Sequence, residues 1–259
     1  MNPQGLYTLA SYGKALRRQL DSHANNMANV ETAGYKEDKP VFQSLFSTTY
    51  GVPSQSDEEQ FAHHDHLPPY SGVGNFFVSV ADMGKNMNQG RVSRTGSDLD
   101  LALINPEGFF SIDTPQGERF TRAGNFRLNK DRQLVSAEGF LVNGKEGALT
   151  IDGNKVEVSE DGSVIVDGER IGGVKVVAFP FPDRLQKLGN SQFSPVDPQN
   201  NPRILEDVKI SQGFIETSNV DSFKEMIQLI QANRAYTTMQ KALRSADEMN
   251  QGAISLSEV

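Results

Sequence analysis

The chain carries two long apolar stripes at helical spacing, one at each end, about 200 residues apart. At the start, Leu6, Leu9, Gly13, Leu16, Leu20, His23, Met27 and Val30 follow one another at alternating steps of three and four. That is a heptad seam with two weak members, Gly13 and His23. It predicts a helix over residues 4–30, about 40 Å long at 1.5 Å per residue. Lys14, Arg17, Arg18 and Asp21 fall on the opposite face, so this helix is amphipathic. At the other end Met226, Leu229, Asn233, Tyr236, Met239, Leu243 and Ala246 repeat the pattern, thickened by Phe223, Ile227 and Ile230. Ser222 with Glu225 offers a capping box, and Ser218 or Asn219 a cap one turn earlier, so this helix is expected from 219–222 to about 250, before Gly252.

A lone amphipathic helix cannot hide its stripe, and isolated helices are marginal in water. The economical expectation is that the two ends pair with each other. Such a pair still shows apolar surface on its flanks, which favours contact with other subunits.

Between the ends the helical period disappears. Short apolar runs alternate with turn signals such as Asn105-Pro106-Glu107-Gly108, Asp152-Gly153, Asp161-Gly162 and Asp167-Gly168. FFSID (109–113), ALTID (148–152), KVEVS (155–159), SVIVD (163–167) and VKVVAF (174–179) read as strands. The expected class is α+β: a discontinuous coiled-coil-like pair of long N- and C-terminal helices plus a β-rich central domain of short antiparallel strands. The boundaries are 1–35 and 216–259 for the terminal helical domain, 36–75 for an extended connector, and 76–215 for the β-rich domain.

Chemistry-bearing patterns are sparse. The net charge of −8, with no dominant basic window, argues against nucleic acid. With no cysteine there is no disulfide, thiolate metal site or thiol nucleophile. His63-His64-Asp65-His66 is the one metal-like cluster, but adjacent ligands cannot all face one ion without an irregular loop, and a polar loop is the better reading. Asp98 and Asp100 suit a solvated strand edge more than acid–base work. GVGNFF (72–77) lacks the Lys and Ser/Thr of a phosphate loop. No catalytic, cofactor or metal residue is assigned. The N-terminus has no apolar core of signal-peptide length, and no run approaches a membrane span, so any export would proceed without a cleaved signal.

One stretch needs its own explanation. ANNMANVETAGYK (24–36) gathers Asn25, Asn26 and Asn29 at a helix end, just before Gly34. Asparagine is a mediocre helix former, so the cluster marks either a C-cap or a packing surface.

That stretch resembles the N-terminal signature of bacterial flagellar rod and hook proteins. ETSNVD (216–221), followed by EM, LI, NRAY and ADEM up to residue 249, is similar to the C-terminal signature of the same family. TGSDLDLALINPEGFFSIDTPQGERFTRAGNFRLNKDRQLVSAEGF (95–140) resembles the middle of its rod subgroup, with INPEG in place of the usual acidic-glycine turn. VADMGKNMNQGRVSRTGSDLD (80–100) looks more like the proximal than the distal rod.

The resemblance implies an axial subunit of the basal body. Such subunits are exported unfolded by the flagellar type III apparatus and polymerise helically into a drive shaft across the periplasm that transmits torque to the hook. The partners implied are the chain itself, neighbouring rod and hook proteins, and the export apparatus. The implied assembly interface includes Leu6, Leu9, Leu16, Leu20 and Met27 on the first helix, with Asn25, Asn26, Asn29, Val30, Gly34 and Tyr35 at its end. On the C-terminal side it includes Val220, Phe223, Met226, Ile227, Leu229, Ile230, Arg234, Tyr236, Met239 and Leu243. Two other classes stay open on the residues alone. One is a non-polymerising secreted β domain that binds a partner through a helical stalk. The other is a cell-wall hydrolase, for which Asp98, Asp100 and Glu107 are the residues to replace.

Overall fold

A computed structural model describes residues 3–47, 75–153 and 155–257 of the chain. Two long helices enclose the sequence: α1 (Pro3–Ala28) and α2 (Ser222–Ser257). Between them the described residues form short, mostly antiparallel strands, so the class is α+β.

The chain divides into two compact units. The first gathers Met1–Ala24, Lys39–Gly84 and Met226–Val259. It holds most of both helices and a two-stranded sheet, Asp38–Ser47 with Asn75–Lys85, whose first strand lies in the range read as a connector and whose second falls almost wholly in the range read as the β-rich domain. His63–His66 and residues 72–74 lie outside the described residues.

The expected coiled-coil-like pairing of long helices is corrected by this structure. A coiled-coil seam needs two buried positions per heptad. Among the described side chains of α2 the buried ones are Glu225, Ala232, Met239 and Ala246, one every seven, with Leu229, Tyr236 and Leu243 only half-buried between them. Asn233 and Met226, expected in the seam, are exposed. The apolar residues that thicken the stripe are also exposed: Phe223 by 75%, Ile227 by 47% and Ile230 by 45%. On α1, Gly13, Leu16 and His23 are buried, but so are Ala15, Ser22 and Asn26, which lie off the heptad. The contact the helices do make is local: Met239 fills the notch at Gly13, where an added Cβ would lie 2.6 Å from its methyl carbon. The cap also differs. Asp221 Oδ1 accepts the backbone N–H groups of Phe223 (3.0 Å) and Lys224 (3.2 Å), so Asp221 rather than Ser222 is the N-cap of α2.

The second unit, Asn25–Asp38 with Lys85–Glu225, contains the main apolar core. Its backbone is a nine-stranded sheet built on Gly108–Thr114. Successive side chains of a strand point to opposite faces, and here both faces are covered. Phe110 and Ile112 enter a cluster with Leu101, Leu103, Val142, Val176 and Ile210. Phe109 enters the other, with Phe120, Phe179 and Phe193, whose rings meet it or each other edge to face at 4.9–5.7 Å. That is why FFSID reads as a near-continuous apolar run. KVEVS, SVIVD and VKVVAF contain the strands Val156–Val158, Ser163–Val166 and Val176–Ala178. ALTID does not form a strand. It makes only isolated bridges, Ala148 to Asn143 and Thr150 to Gln133, while Leu149 and Ile151 are buried in the core.

The ends of this unit are brought together by pairing. Leu101–Leu103 pairs with Ile210–Gln212, and Val92–Arg94 with Phe214–Glu216. The incoming chain therefore runs antiparallel to the outgoing chain just before α2 begins.

Candidate functional site: a polar joint of the two terminal motifs

The end of ANNMANVETAGYK and the start of ETSNVD meet in the second unit. The helical hydrogen bonds of α1 give out at the asparagines. Asn29 donates its side-chain amide to the Asn25 carbonyl (2.8 Å), and Thr32 donates its hydroxyl to Asn29 Oδ1 (3.2 Å). Gly34 then adopts φ +64, with Ala123 N only 2.2 Å from where a Cβ would stand. A left-handed residue against backbone leaves no room for a side chain. Gly34 N–H donates to the Glu216 carbonyl at 2.8 Å.

Asn26 is fully buried and pairs reciprocally with the backbone of Asp38. Its amide donates to the Asp38 carbonyl, and its Oδ1 accepts the Asp38 N–H, both at 2.9 Å. Tyr35 folds back so that its hydroxyl lies 2.9 Å from Asn25 Oδ1 and 3.1 Å from Asn26 Oδ1. Burial, with Asp38 alongside, pushes the Tyr35 phenol well above its usual range. Lys187 covers the Tyr35 ring, its Nζ 3.5 Å from the centroid, and donates to the Lys36 carbonyl (2.8 Å) and to Asp38 (3.0 Å). Burial holds the Lys187 amine below its usual value, against the opposing pull of Asp38.

Beside this lies a buried charge cluster. Lys36, Arg122 and Glu216 are each about 1% exposed. Lys36 Nζ donates to Glu216 Oε1 at 2.6 Å and to the Asn88 carbonyl at 2.8 Å. Arg122 Nη2 sits 2.9 Å from Glu216 Oε2, a close charge pair outside hydrogen-bond alignment. Arg122 Nη1 donates to the carbonyls of Asn105 and Gly108, and Gly90 N–H donates to Glu216 Oε1 (2.9 Å). Burial lowers both cations below their ordinary values, and Glu216 offsets part of that shift. Asn219 completes the joint. Its Oδ1 accepts Glu37 N–H (2.8 Å), and its amide donates to the carbonyls of Asn86 (2.7 Å) and Asn88 (2.9 Å).

The sequence-derived interface residues fall into three groups. Asn25, Asn26, Asn29, Gly34 and Tyr35 belong to the joint, where their partners lie in their own chain. Leu16, Val220 and Met239 are buried, while Leu9, Leu20, Met27, Val30, Leu229, Tyr236 and Leu243 are half-buried. Phe223, Met226, Ile227, Ile230 and Arg234 are exposed. Leu6 lies in α1, and its side chain is outside the described residues. Asp98 and Asp100 do not share a strand face: Asp98 is exposed in a turn, and Asp100 closes it before the strand begins at Leu101. Lys36, Arg122, Glu216 and Lys187 were missed as partners. The first three lie inside the motifs GYK, FTRAG and ETSNVD, but no periodic pattern links residues so far apart.

Residues 211–256 match the family described as flagellar basal body rod FlgEFG protein C-terminal, and residues 103–166 match the flagellar hook protein FlgE/F/G D1 domain. The flagellar basal-body rod protein FlgF of Caulobacter vibrioides is 32% identical over 252 residues, covering 96% of each chain. The chain belongs to the flagellar basal-body rod protein family. FlgG of Bacillus subtilis is 30% identical over 267 residues, covering 98% of each chain. FlgG of Buchnera aphidicola subsp. Baizongia pistaciae is 31% identical over 240 residues, 88% of this chain and 90% of its own. Both signature motifs of this rod protein thus close on one joint. No helix among its described residues is long and apolar enough to cross a membrane.

Proposed function

We propose that this chain is a structural subunit of the flagellar basal-body rod, placed in the proximal part and built into the shaft by contacts along α2. The observation that carries the reading is similarity to rod proteins over nearly the full length of both chains. The proximal placement rests on residues 80–100. The partners are further copies and the neighbouring rod and hook proteins. On this reading the chain transmits load and does no chemistry, in keeping with Asp98 and Glu107 lying exposed on turns.

The contact surface is the exposed row Phe223, Met226, Ile227 and Ile230, with Arg234 one turn further on. Apolar side chains this exposed, grouped on the first turns of one helix, fit an interface better than a free surface. Replacing Ile227 and Ile230 by Asp is expected to leave the monomer folded and to remove the protein from isolated hook–basal bodies. Far-UV circular dichroism of the monomer reads the first point, and quantitative mass spectrometry against the other axial proteins reads the second. A few copies at the membrane-proximal end support the proximal rod, a larger number moves the chain to the distal rod, and normal incorporation of the double variant refutes this surface.

A further inference from the structure

The buried cluster is electrostatically lopsided, with two cations around one carboxylate. We propose that Glu216 makes docking of residues 33–38 conditional on the C-terminal strand being in place, so that the N-terminal motif is the last part of the joint to close.

The two motifs are held in different ways. Strand Phe214–Glu216 has its own ladder, antiparallel to Val92–Arg94. Its carboxylate also meets Gly90 N–H and Arg122 without any help from residues 33–38. Removing the N-terminal motif therefore leaves a neutral Glu216–Arg122 pair and an intact ladder.

Residues 33–38 have no such independence. Gly34 N–H donates to the Glu216 carbonyl, and Glu37 N–H to Asn219 Oδ1. Lys36 enters a dry site where Arg122 opposes it and Glu216 alone among the charged neighbours favours it. Without Glu216 the Lys36 ammonium would be buried beside the Arg122 cation with no carboxylate acting on it, a costly arrangement in a protein interior. Other contacts reach this segment, including Ser191 Oγ to the Ala33 carbonyl and Lys187 to the Lys36 carbonyl. They leave its buried ammonium uncompensated. The C-terminal motif thus supplies the counter-charge of Lys36 and the acceptors of the Gly34 and Glu37 N–H groups, and dependence runs one way.

Native-state amide exchange, resolved by NMR on the full chain, tests this. Gly34 and Glu37 N–H report the N-terminal segment, the Phe214–Glu216 ladder reports the C-terminal strand, and Gly108–Thr114 reports the sheet. With Lys36→Met, the strand and sheet are expected to keep their protection while the Gly34 and Glu37 amides keep or lose theirs independently of them. With Glu216→Gln, Gly34 and Glu37 are expected to exchange at least about a hundredfold faster while the sheet is unchanged. If Lys36→Met loosens the strand as much as the segment, closure is mutual and the proposal is overturned. Retained protection of Gly34 and Glu37 in Glu216→Gln overturns it as well. Should Glu216→Gln fail to fold, Lys36→Met decides alone.

Discussion

Gly34 shows how far a single residue can constrain this chain. Its φ of +64, and the Ala123 nitrogen 2.2 Å from where a Cβ would stand, leave alanine no accessible geometry. Gly34→Ala is expected to destabilise the second unit by about 3 kcal/mol, measured by urea unfolding followed by far-UV circular dichroism. Tyr35 makes a different prediction. Its phenol pKa is raised in the folded chain by burial and by Asp38. The folded state therefore holds that proton more tightly than the unfolded state. The resulting stability is complete below about pH 10 and is lost as the pH climbs above it. The stability gap between the wild type and Tyr35→Phe is expected to stay constant to about pH 9 and to narrow by about pH 11. Lys36 and Lys187 are common to both proteins, so their own titration largely cancels. A gap that does not narrow would mean Tyr35 titrates as it does in water. Three asparagines before a glycine point to a helix end, and α1 does end there, at Ala28. The sequence could not say what the amides bind, because their partner, the Asp38 backbone, carries no sequence signature.

At the scale of the element, α2 is specified locally where it begins. Asp221 caps two of its free N–H groups, so Asp221→Ala is expected to cost about 1 kcal/mol and to speed amide exchange in the first turn. Unchanged exchange at Phe223 and Lys224 would show that the cap is redundant. Both helices were legible from period and caps, and α1 and the start of α2 fell within a few residues of expectation, but α2 runs on through Gly252 to Ser257 instead of ending near 250. The long pairing was not, because period reports which face is apolar and not whether that face is covered. Phe223 and Ile227 fit the stripe and yet stand exposed. The strands show the same division. FFSID and SVIVD were readable as strands, whereas ALTID has the composition of one and lacks a partner beyond single bridges. Its apolar residues Leu149 and Ile151 fill the core rather than build a ladder.

For the molecule as a whole, stability is concentrated in one place. The two apolar clusters lie entirely in the second unit, between Leu101 and Ile210. Beyond Glu225, by contrast, α2 buries Ala232, Met239 and Ala246. Limited proteolysis of the monomer is therefore expected to trim the helices and leave a resistant fragment from about residue 85 to about residue 221. A monomer resistant from end to end would contradict that distribution. The sequence conveyed the order helix, strands, helix well. It did not convey that residues 25–38 join the strand-rich unit, since that depends on Lys36 meeting Glu216, 180 positions away.

The single file of buried residues along α2 has a consequence of another kind. Between Ala232 and Met239, four of the six residues are exposed and two are half-buried. A helix anchored so sparingly leaves most of its circumference free of packing demands from its own chain. Substitutions there can change what the helix presents to its surroundings while leaving its seat undisturbed. Variation in shape and charge at those positions is accessible to mutation one residue at a time, without compensating changes in the core.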